Sequence, residues 1–244
     1  MEKPPLQRAD LLLVARGLFN SRAQAQAAIA AGLVLADGRP VTKASVRLDA
    51  EIPICASAPH PYVSRGGVKL AAALDHFGVE PKGRVCLDIG ASTGGFSQVL
   101  ALRGAAPAYA VDVGHGQLHP RLQGNPAIIS MEGRDARSLC AQDFVSPPQL
   151  VVFDASFISL KLLLPLVLAL AASEAQLIAL IKPQFEAGRA AARKGVVRDA
   201  GVHAATCKDI ALTIEQLGWR VAGIIASPIT GGDGNREFLI GAAR

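Results

Sequence analysis

The sequence predicts an α/β protein: a mostly parallel central sheet flanked by helices, preceded by a smaller N-terminal α/β domain. Three observations predict it. From Arg84 onward, apolar runs of strand length alternate with helical stretches, the pattern of a sheet covered on both faces. The first of those runs empties into a glycine-rich loop, DIGASTGGF at 88–96, where such sheets hold ligands. Residues 6–55 carry a separate helix, helix and hairpin pattern of their own.

In the N-terminal segment, RADLLLVARGL at 8–18 reads as an amphipathic helix stopped by Gly17, since glycine tolerates the left-handed position after a helix. Ser21 is a candidate N-cap for a second helix over 22–31, closed by Gly32. The run 33–36, the turn Asp37-Gly38 and Val41 read as a hairpin, because Asp-Gly favours tight turns. So small a unit needs support from docking or from a partner. The bridge 56–62 is short and contains Pro59 and Pro61, so it reads as a stiff connector, with His60 and Tyr62 as structural residues. The expected division is 1–58 for the first domain, 59–64 for the linker and 65–244 for the second domain.

Beyond the bridge, strands are expected at 84–89, 108–113, 150–153, 176–181, 221–225 and 237–241. Helices are expected at 95–103 and 203–217. The stretch 160–181 is the one candidate for a membrane span. Lys161, Pro165, Ser173 and Glu174 interrupt it, so it reads as a buried helix followed by a strand. The polar segment 1–10 does not read as a signal peptide.

Half of the 244 residues are hydrophobic and 18% are charged, which predicts a sizeable core and excludes a disordered chain. The net charge of +5 is compatible with nucleic acid without proving it. The four cysteines, Cys55, Cys86, Cys140 and Cys207, form no Cys-x-x-Cys pair. No zinc cluster or disulfide framework is expected, and a reducing cytoplasm fits.

The glycine loop narrows the ligand. A dinucleotide fingerprint would need glycine two residues after Gly90, where the chain has Ser92. A P-loop would need lysine after Gly95, where it has Phe96. Asp112, ending the next strand, can accept hydrogen bonds from both hydroxyls of a ribose.

The string D-x-G-x-x-x-G-G-F resembles the S-adenosylmethionine loop of class I, Rossmann-like methyltransferases. That resemblance implies cofactor contacts from Asp88, Gly90, Ala91, Ser92, Thr93, Gly94, Gly95 and Phe96, then Asp112 with Val113, Asp135 with Ala136, and Asp154. Lys69, Asp154, Lys182 and Glu237 resemble the Lys-Asp-Lys-Glu set of the FtsJ-like RNA ribose 2′-O-methyltransferases. The resemblance nominates Lys182 to accept or steer the hydroxyl proton, Asp154 to orient Lys182, and Glu237 with Lys69 to hold the ribose. No metal and no covalent intermediate are expected. Residues 157 and 154 do not form the [Asn/Asp]-Pro-Pro-[Tyr/Phe] motif of amino-group methylation, and no cysteine follows a proline as cytosine C5 chemistry commonly requires.

The N-terminal pattern R-x-D-x-L-L-V-x-R-G-L, with its downstream serine and glycines, resembles the S4-type RNA-binding domain. It implies RNA contacts from Arg8, Arg16, Ser21, Arg22 and Lys43, joined by Arg65, Lys194 and Arg198 in the larger domain. The competing reading of these residues is solvated surface charge, and Asp10, Asp37, Asp49 and Glu51 weigh on that side. The loop 186–199, basic and glycine-broken, is expected to be mobile and to order on RNA.

The strings SRGGVKLAAAL, CLDIGASTGGF, DASFISLKLLLP, LIKPQFEAGR and SPITGGDGNREFL resemble the TlyA family across nearly the full length. That resemblance implies methylation of cytidine 2′-hydroxyls in ribosomal RNA, with the short N-terminal lead pointing to the large subunit. EGRDAR at 132–137 departs from the family's usual string and puts the adenine contact in question. The same family carries the label haemolysin, so a membrane-active protein is one alternative reading. A non-catalytic RNA-binding or ribosome-assembly factor is another.

Overall fold

The computed structural model describes residues 6–19, 21–57, 60–188, 195–231 and 234–244. The chain forms two compact units, Met1–Pro61 and Tyr62–Arg244.

In the smaller unit the elements are β1 (Leu6–Arg8), α1 (Ala9–Ala15), α2 (Arg22–Ala30), β2 (Val34–Ala36), β3 (Arg39–Pro40), β4 (Arg47–Asp49) and β5 (Ile54–Ala56). Gly17 and Gly32 take positive φ just past the two helices, and Ser21 Oγ accepts the Gln24 N–H to cap α2. The hairpin turns at Asp37 and Gly38, φ +48° and +72°, and pairs Leu35 with Pro40 and Ala36 with Arg39. The strands β1, β4 and β5 are too short to carry a readable alternation. β1 pairs with β4, and β2 takes β5 on its other edge. Ala9, Leu13, Phe19, Ala25, Ile29 and Val34 form the core of this unit.

The larger unit runs α3 (Gly66–Phe77), β6 (Cys86–Ile89), α4 (Gly95–Leu102), β7 (Ala108–Asp112), β8 (Ile128–Glu132), β9 (Leu150–Phe153), α5 (Leu160–Leu168), β10 (Gln176–Ile181), α6 (Pro183–Glu186), α7 (Ala200–Gln216), β11 (Arg220–Ala226) and β12 (Phe238–Ala243). These strands form one seven-stranded sheet in the order β11-β12-β10-β9-β6-β7-β8. The pairings of β6, β7, β8, β9 and β10 are parallel, while β12 runs antiparallel to both β10 and β11.

Alternate residues of each strand feed opposite faces, as a pleated strand requires. Leu87, Ile89, Val151, Phe153, Leu177 and Ile181 pack with α5 and α7, while Cys86, Leu150, Val152, Ile178 and Leu180 pack with α3 and α4. Each leucine fully buried this way contributes about 1.5–3 kcal/mol of transfer free energy. Chain order reverses between β6 and β9: β7 and β8 lie to one side, β9 and β10 to the other. A crevice opens beyond the strand ends at that reversal.

Several expectations shift. The first strand starts at Cys86 instead of Arg84, because the Arg84 N–H closes a turn onto Pro81 O. α7 starts at Ala200, three residues before the expected start, because Asp199 caps it by accepting from Gly201 N and Val202 N. α3 and β8 lie outside the expected elements; the half-exposed positions of IISME blur the alternation of β8. Among the described residues, no helix is long and apolar enough to cross a membrane.

Candidate active site

The loop after β6 sits at the reversal point. Gly90 has φ +83°, and a Cβ there would lie 2.9 Å from the backbone of Asp154 and Ala155. Only glycine lets the loop lie against the segment leaving β9. Ser92, at φ +47°, donates its backbone N–H to Asp112 Oδ2 at 2.9 Å, and Gly114 N donates to Asp112 Oδ1 at 2.8 Å. The carboxylate ending β7 thus pins two loops and keeps lone pairs for a ligand.

A cavity of about 430 Å³ follows this line. Gly90, Ser92, Asp112, Val113, Asp135, Ala136 and Asp154, all among the expected cofactor contacts, line it. Asp135 accepts from Arg137 N at 2.8 Å and pairs with the Arg137 guanidinium, which together hold its carboxyl down at about 2. Its oxygens are therefore engaged within their own turn. A second cavity of about 230 Å³ shares Gly90, Ser92 and Asp154 and adds Ser64, Arg65, Lys69, Ala91, Thr93, Gly95 and Phe96.

Two of the expected contacts lie elsewhere. Asp88 is fully buried on the α4 side of the sheet and lines neither cavity. It accepts from Ser97 Oγ at 2.6 Å, fastening β6 to α4 beneath the loop. Burial pushes its carboxyl up to about 7, with the Asp154 and Asp112 charges adding to the rise. Gly94 is buried behind the loop, where Leu118 and Leu122 close over it.

The four nominated catalytic side chains come together through two ion pairs. Lys182 follows β10 and Glu237 precedes β12; the register ends at Ile181 opposite Phe238, which makes these two the next pair out. Lys182 Nζ lies 2.7 Å from Asp154 Oδ1, and it donates to Asp154 O at 3.1 Å and Ser156 Oγ at 2.8 Å. Two hydrogen bonds and one ion pair thus hold the ammonium in place. Lys69, projecting from α3, donates to Glu237 Oε2 at 2.5 Å, and both partners are buried. Asp154 Oδ2 faces Gly66 at the start of α3, where a Cβ would lie 3.3 Å away. Burying two cations needs two nearby anions, and the strand ends supply them.

Sequence reasoning missed three supports. Ser156 holds Lys182. Glu186 accepts from Ser159 Oγ and Leu160 N, tying α6 to the start of α5. Phe157, 91% exposed with φ +64°, stacks on Phe185 with ring centroids 5.1 Å apart. A lone serine or a left-handed phenylalanine leaves no periodic trace in a sequence.

The expected RNA contacts divide by their partners. Arg8 and Arg22 both pair with the buried Asp10, each at 3.0 Å, with side chains 41% and 54% exposed. Arg16 donates to Ile52 O at 2.6 Å and to Ala50 O, so it braces the fold of the smaller unit. Ser21 is the α2 cap, Lys43 and Arg198 are exposed, and Arg65 donates to Thr230 O at 3.4 Å. Lys194 and residues 189–194 of the expected mobile loop 186–199 lie outside the described residues.

Two family models match the chain: the FtsJ-like methyltransferase over residues 62–244 and the S4 domain over residues 7–51. The chain is 41% identical over 236 residues to the 16S/23S rRNA (cytidine-2′-O)-methyltransferase TlyA of Mycobacterium tuberculosis, covering 96% of this chain and 88% of that protein. It is 36% identical to Hemolysin A of Brachyspira hyodysenteriae, covering 95% and 98%. A solved structure from Streptococcus thermophilus superposes with a TM-score of 0.78 at 38% identity, over 98% of this chain and 89% of that one. With the FtsJ-like model spanning residues 62–244, three quarters of its length, the chain belongs to the FtsJ-like methyltransferase family, in the TlyA group that carries an S4 domain.

Proposed function

We propose that the chain transfers a methyl group from S-adenosylmethionine to the 2′-hydroxyl of a cytidine in ribosomal RNA, with large-subunit RNA as its substrate. The observation that carries this reading is the two ion pairs Lys182–Asp154 and Lys69–Glu237, of which Asp154 lines both cavities and Lys69 the smaller one. The 41% identity to a TlyA whose name covers both 16S and 23S rRNA supports the chemistry and leaves both subunits to be tested.

The larger cavity fits the cofactor. Among its lining residues Asp112 offers acceptors, Val111, Ala136, Ile158 and Leu163 offer apolar surface for a purine, and Asp154 adds a negative charge. When bound there, S-adenosylmethionine supplies an electrophilic methyl on a sulfonium. Asp112 would hold the ribose, Ala136 with the Asp135 turn would flank the base, and Asp154 would oppose the cationic end.

The chain's own work on the nucleophile is positioning and proton handling. Lys69 and Glu237, locked to each other, fix one side of the ribose. As the hydroxyl oxygen takes the methyl, its proton must leave. An ammonium has no lone pair, so charged Lys182 steers Asp154 and cannot take that proton. Neutral Lys182 would keep its bonds to Asp154 O and Ser156 Oγ and have a lone pair for the hydroxyl. No step uses a metal, and among the described residues no group of three His, Cys, Asp or Glu side chains is arranged to hold one. Ribosomal RNA as substrate places the activity in the cytoplasm.

The test is methyl transfer from labelled S-adenosylmethionine to separated small and large subunits lacking the modification, with 2′-O-methylation mapped. We expect one cytidine of the large subunit to be methylated. Lys182→Ala should lower the rate by about 10³-fold while cofactor affinity holds. Cofactor binding without transfer to either subunit would favour the non-catalytic assembly factor instead.

A further inference from the structure

Ser92, Asp112 and Gln117 build one wall of the larger cavity. Gln117 has no part in the reading above, yet its position is held from several sides. Its backbone N–H and that of Leu118 both donate to Glu132 Oε1, at 2.5 and 2.9 Å. Those two bonds hold the Glu132 carboxyl below the ordinary carboxylate range. Leu118 and Leu122 then pack with Ala91 and Ala110 and close over Gly94, where a Cβ would lie 2.7 and 2.5 Å from their methyl groups. His119 N donates to Thr93 O at 3.2 Å. The segment carrying Gln117 is thus fastened across the cofactor loop.

Its carboxamide is oriented as well. Ser92 Oγ donates to Gln117 Oε1 at 3.1 Å, from a backbone in the left-handed region. A non-glycine residue there costs on the order of 1 kcal/mol, which the surrounding bonds must offset. With Oε1 taken, Nε2 is the end left to donate. It lies over Gly114: a Cβ at 114 would sit 1.5 Å from Gln117 Nε2 and 3.2 Å from Asp112 Oδ1. An amide donor and a carboxylate acceptor are therefore neighbours across a residue with no side chain. A carboxylate alone can only accept, which leaves hydroxyl oxygens unsatisfied. A vicinal diol beside both groups can donate to one and accept from the other.

We propose that Gln117 binds the cofactor, its Nε2 donating to a ribose hydroxyl that in turn donates to Asp112, with Ser92 setting the amide's orientation. The inference rests on the cofactor reading above and adds a ribose contact to it.

The experiment is calorimetric titration with S-adenosylhomocysteine and with its 2′-deoxy and 3′-deoxy counterparts. It is run on the parent chain, Gln117→Ala and Gln117→Glu. In the parent, losing the contacted hydroxyl should weaken binding by about tenfold. In Gln117→Ala, S-adenosylhomocysteine should weaken by a similar factor, and the deoxy penalty should shrink to about twofold. Gln117→Glu keeps the shape and replaces the donor with an acceptor, so its loss should equal or exceed that of alanine. Equal weakening of all three ligands by both variants, or no weakening, would overturn the proposal in favour of a purely structural Gln117. A parent chain that binds none of the ligands would instead overturn the cofactor reading and this contact with it.

Discussion

Among the described residues each unit buries one aspartate completely, and the two acids behave in opposite ways. Asp10 in the smaller unit receives Arg8, Arg22 and Gln26, at 3.0, 3.0 and 2.8 Å, and these partners hold its carboxyl well below the usual range. Asp88 in the larger unit receives Ser97 Oγ on one oxygen and no charged partner, while its Oδ1 is buried without a hydrogen-bond partner. Burial then dominates, and its carboxyl is pushed up to about 7. The burial cost of a charge is the same physics in both places; charged partners decide its outcome. The smaller unit uses its acid to hold two guanidinium groups beside one carboxylate. The larger unit keeps its acid near Asp112 and Asp154, at the foot of the cofactor loop.

The sharpest test of that contrast is pH. Folded Asp88 keeps its proton to about pH 7, whereas an unfolded aspartate releases it near pH 4. The folded state binds the extra proton in that window, so this stabilisation is full below about pH 4 and is lost as pH rises through about 7. Asp88→Asn cannot ionise and can still accept from Ser97. We expect denaturation measured from pH 4.5 to 8 to lose about 3 kcal/mol less in this variant than in the parent. Parallel pH curves for the two would show that Asp88 is ionised throughout.

Asp10 has the opposite sign: its contribution is present above the unfolded value near pH 4 and is lost below it. Asp10→Ala leaves Arg8 and Arg22 beside each other with no anion. Melting of the smaller unit, followed by amide exchange on heating, should fall by about 8 °C. An unchanged midpoint would mean that water serves the half-exposed arginines equally well.

The smallest effect is expected at Ser97. Ser97→Ala removes the hydroxyl donor to Asp88, and should cost about 1 kcal/mol at pH 8 and less at pH 5, where Asp88 is protonated. A loss independent of pH would break the link between the two residues.

The two units also differ in how much of them the sequence exposed. In the smaller one, the caps and turn residues Gly17, Ser21, Gly32 and Asp37-Gly38 act within a few residues of themselves, so both helices and the hairpin could be read. Its arginines could be named as candidates but not sorted. That Arg16 braces backbone carbonyls of Ala50 and Ile52, and that Arg8 and Arg22 share one acid, depends on residues far along the chain. In the larger unit, Lys69, Asp154, Lys182 and Glu237 were legible from their motifs. Their pairing was not, because Lys69 and Glu237 are joined only when α3 crosses the sheet.

By itself, then, the sequence determined what acts locally or repeats: the α/β alternation, the glycine turn after β6, the helix caps and the residue types a methyl transfer needs. Tertiary structure alone decided which acid met which cation, that Asp88 faces the core and not the cofactor cavity, and that Gln117 comes to rest beside Asp112. The reason is physical. Periodicity and turn chemistry are properties of neighbouring residues, whereas burial, charge pairing and cavity shape arise only when distant segments are packed together.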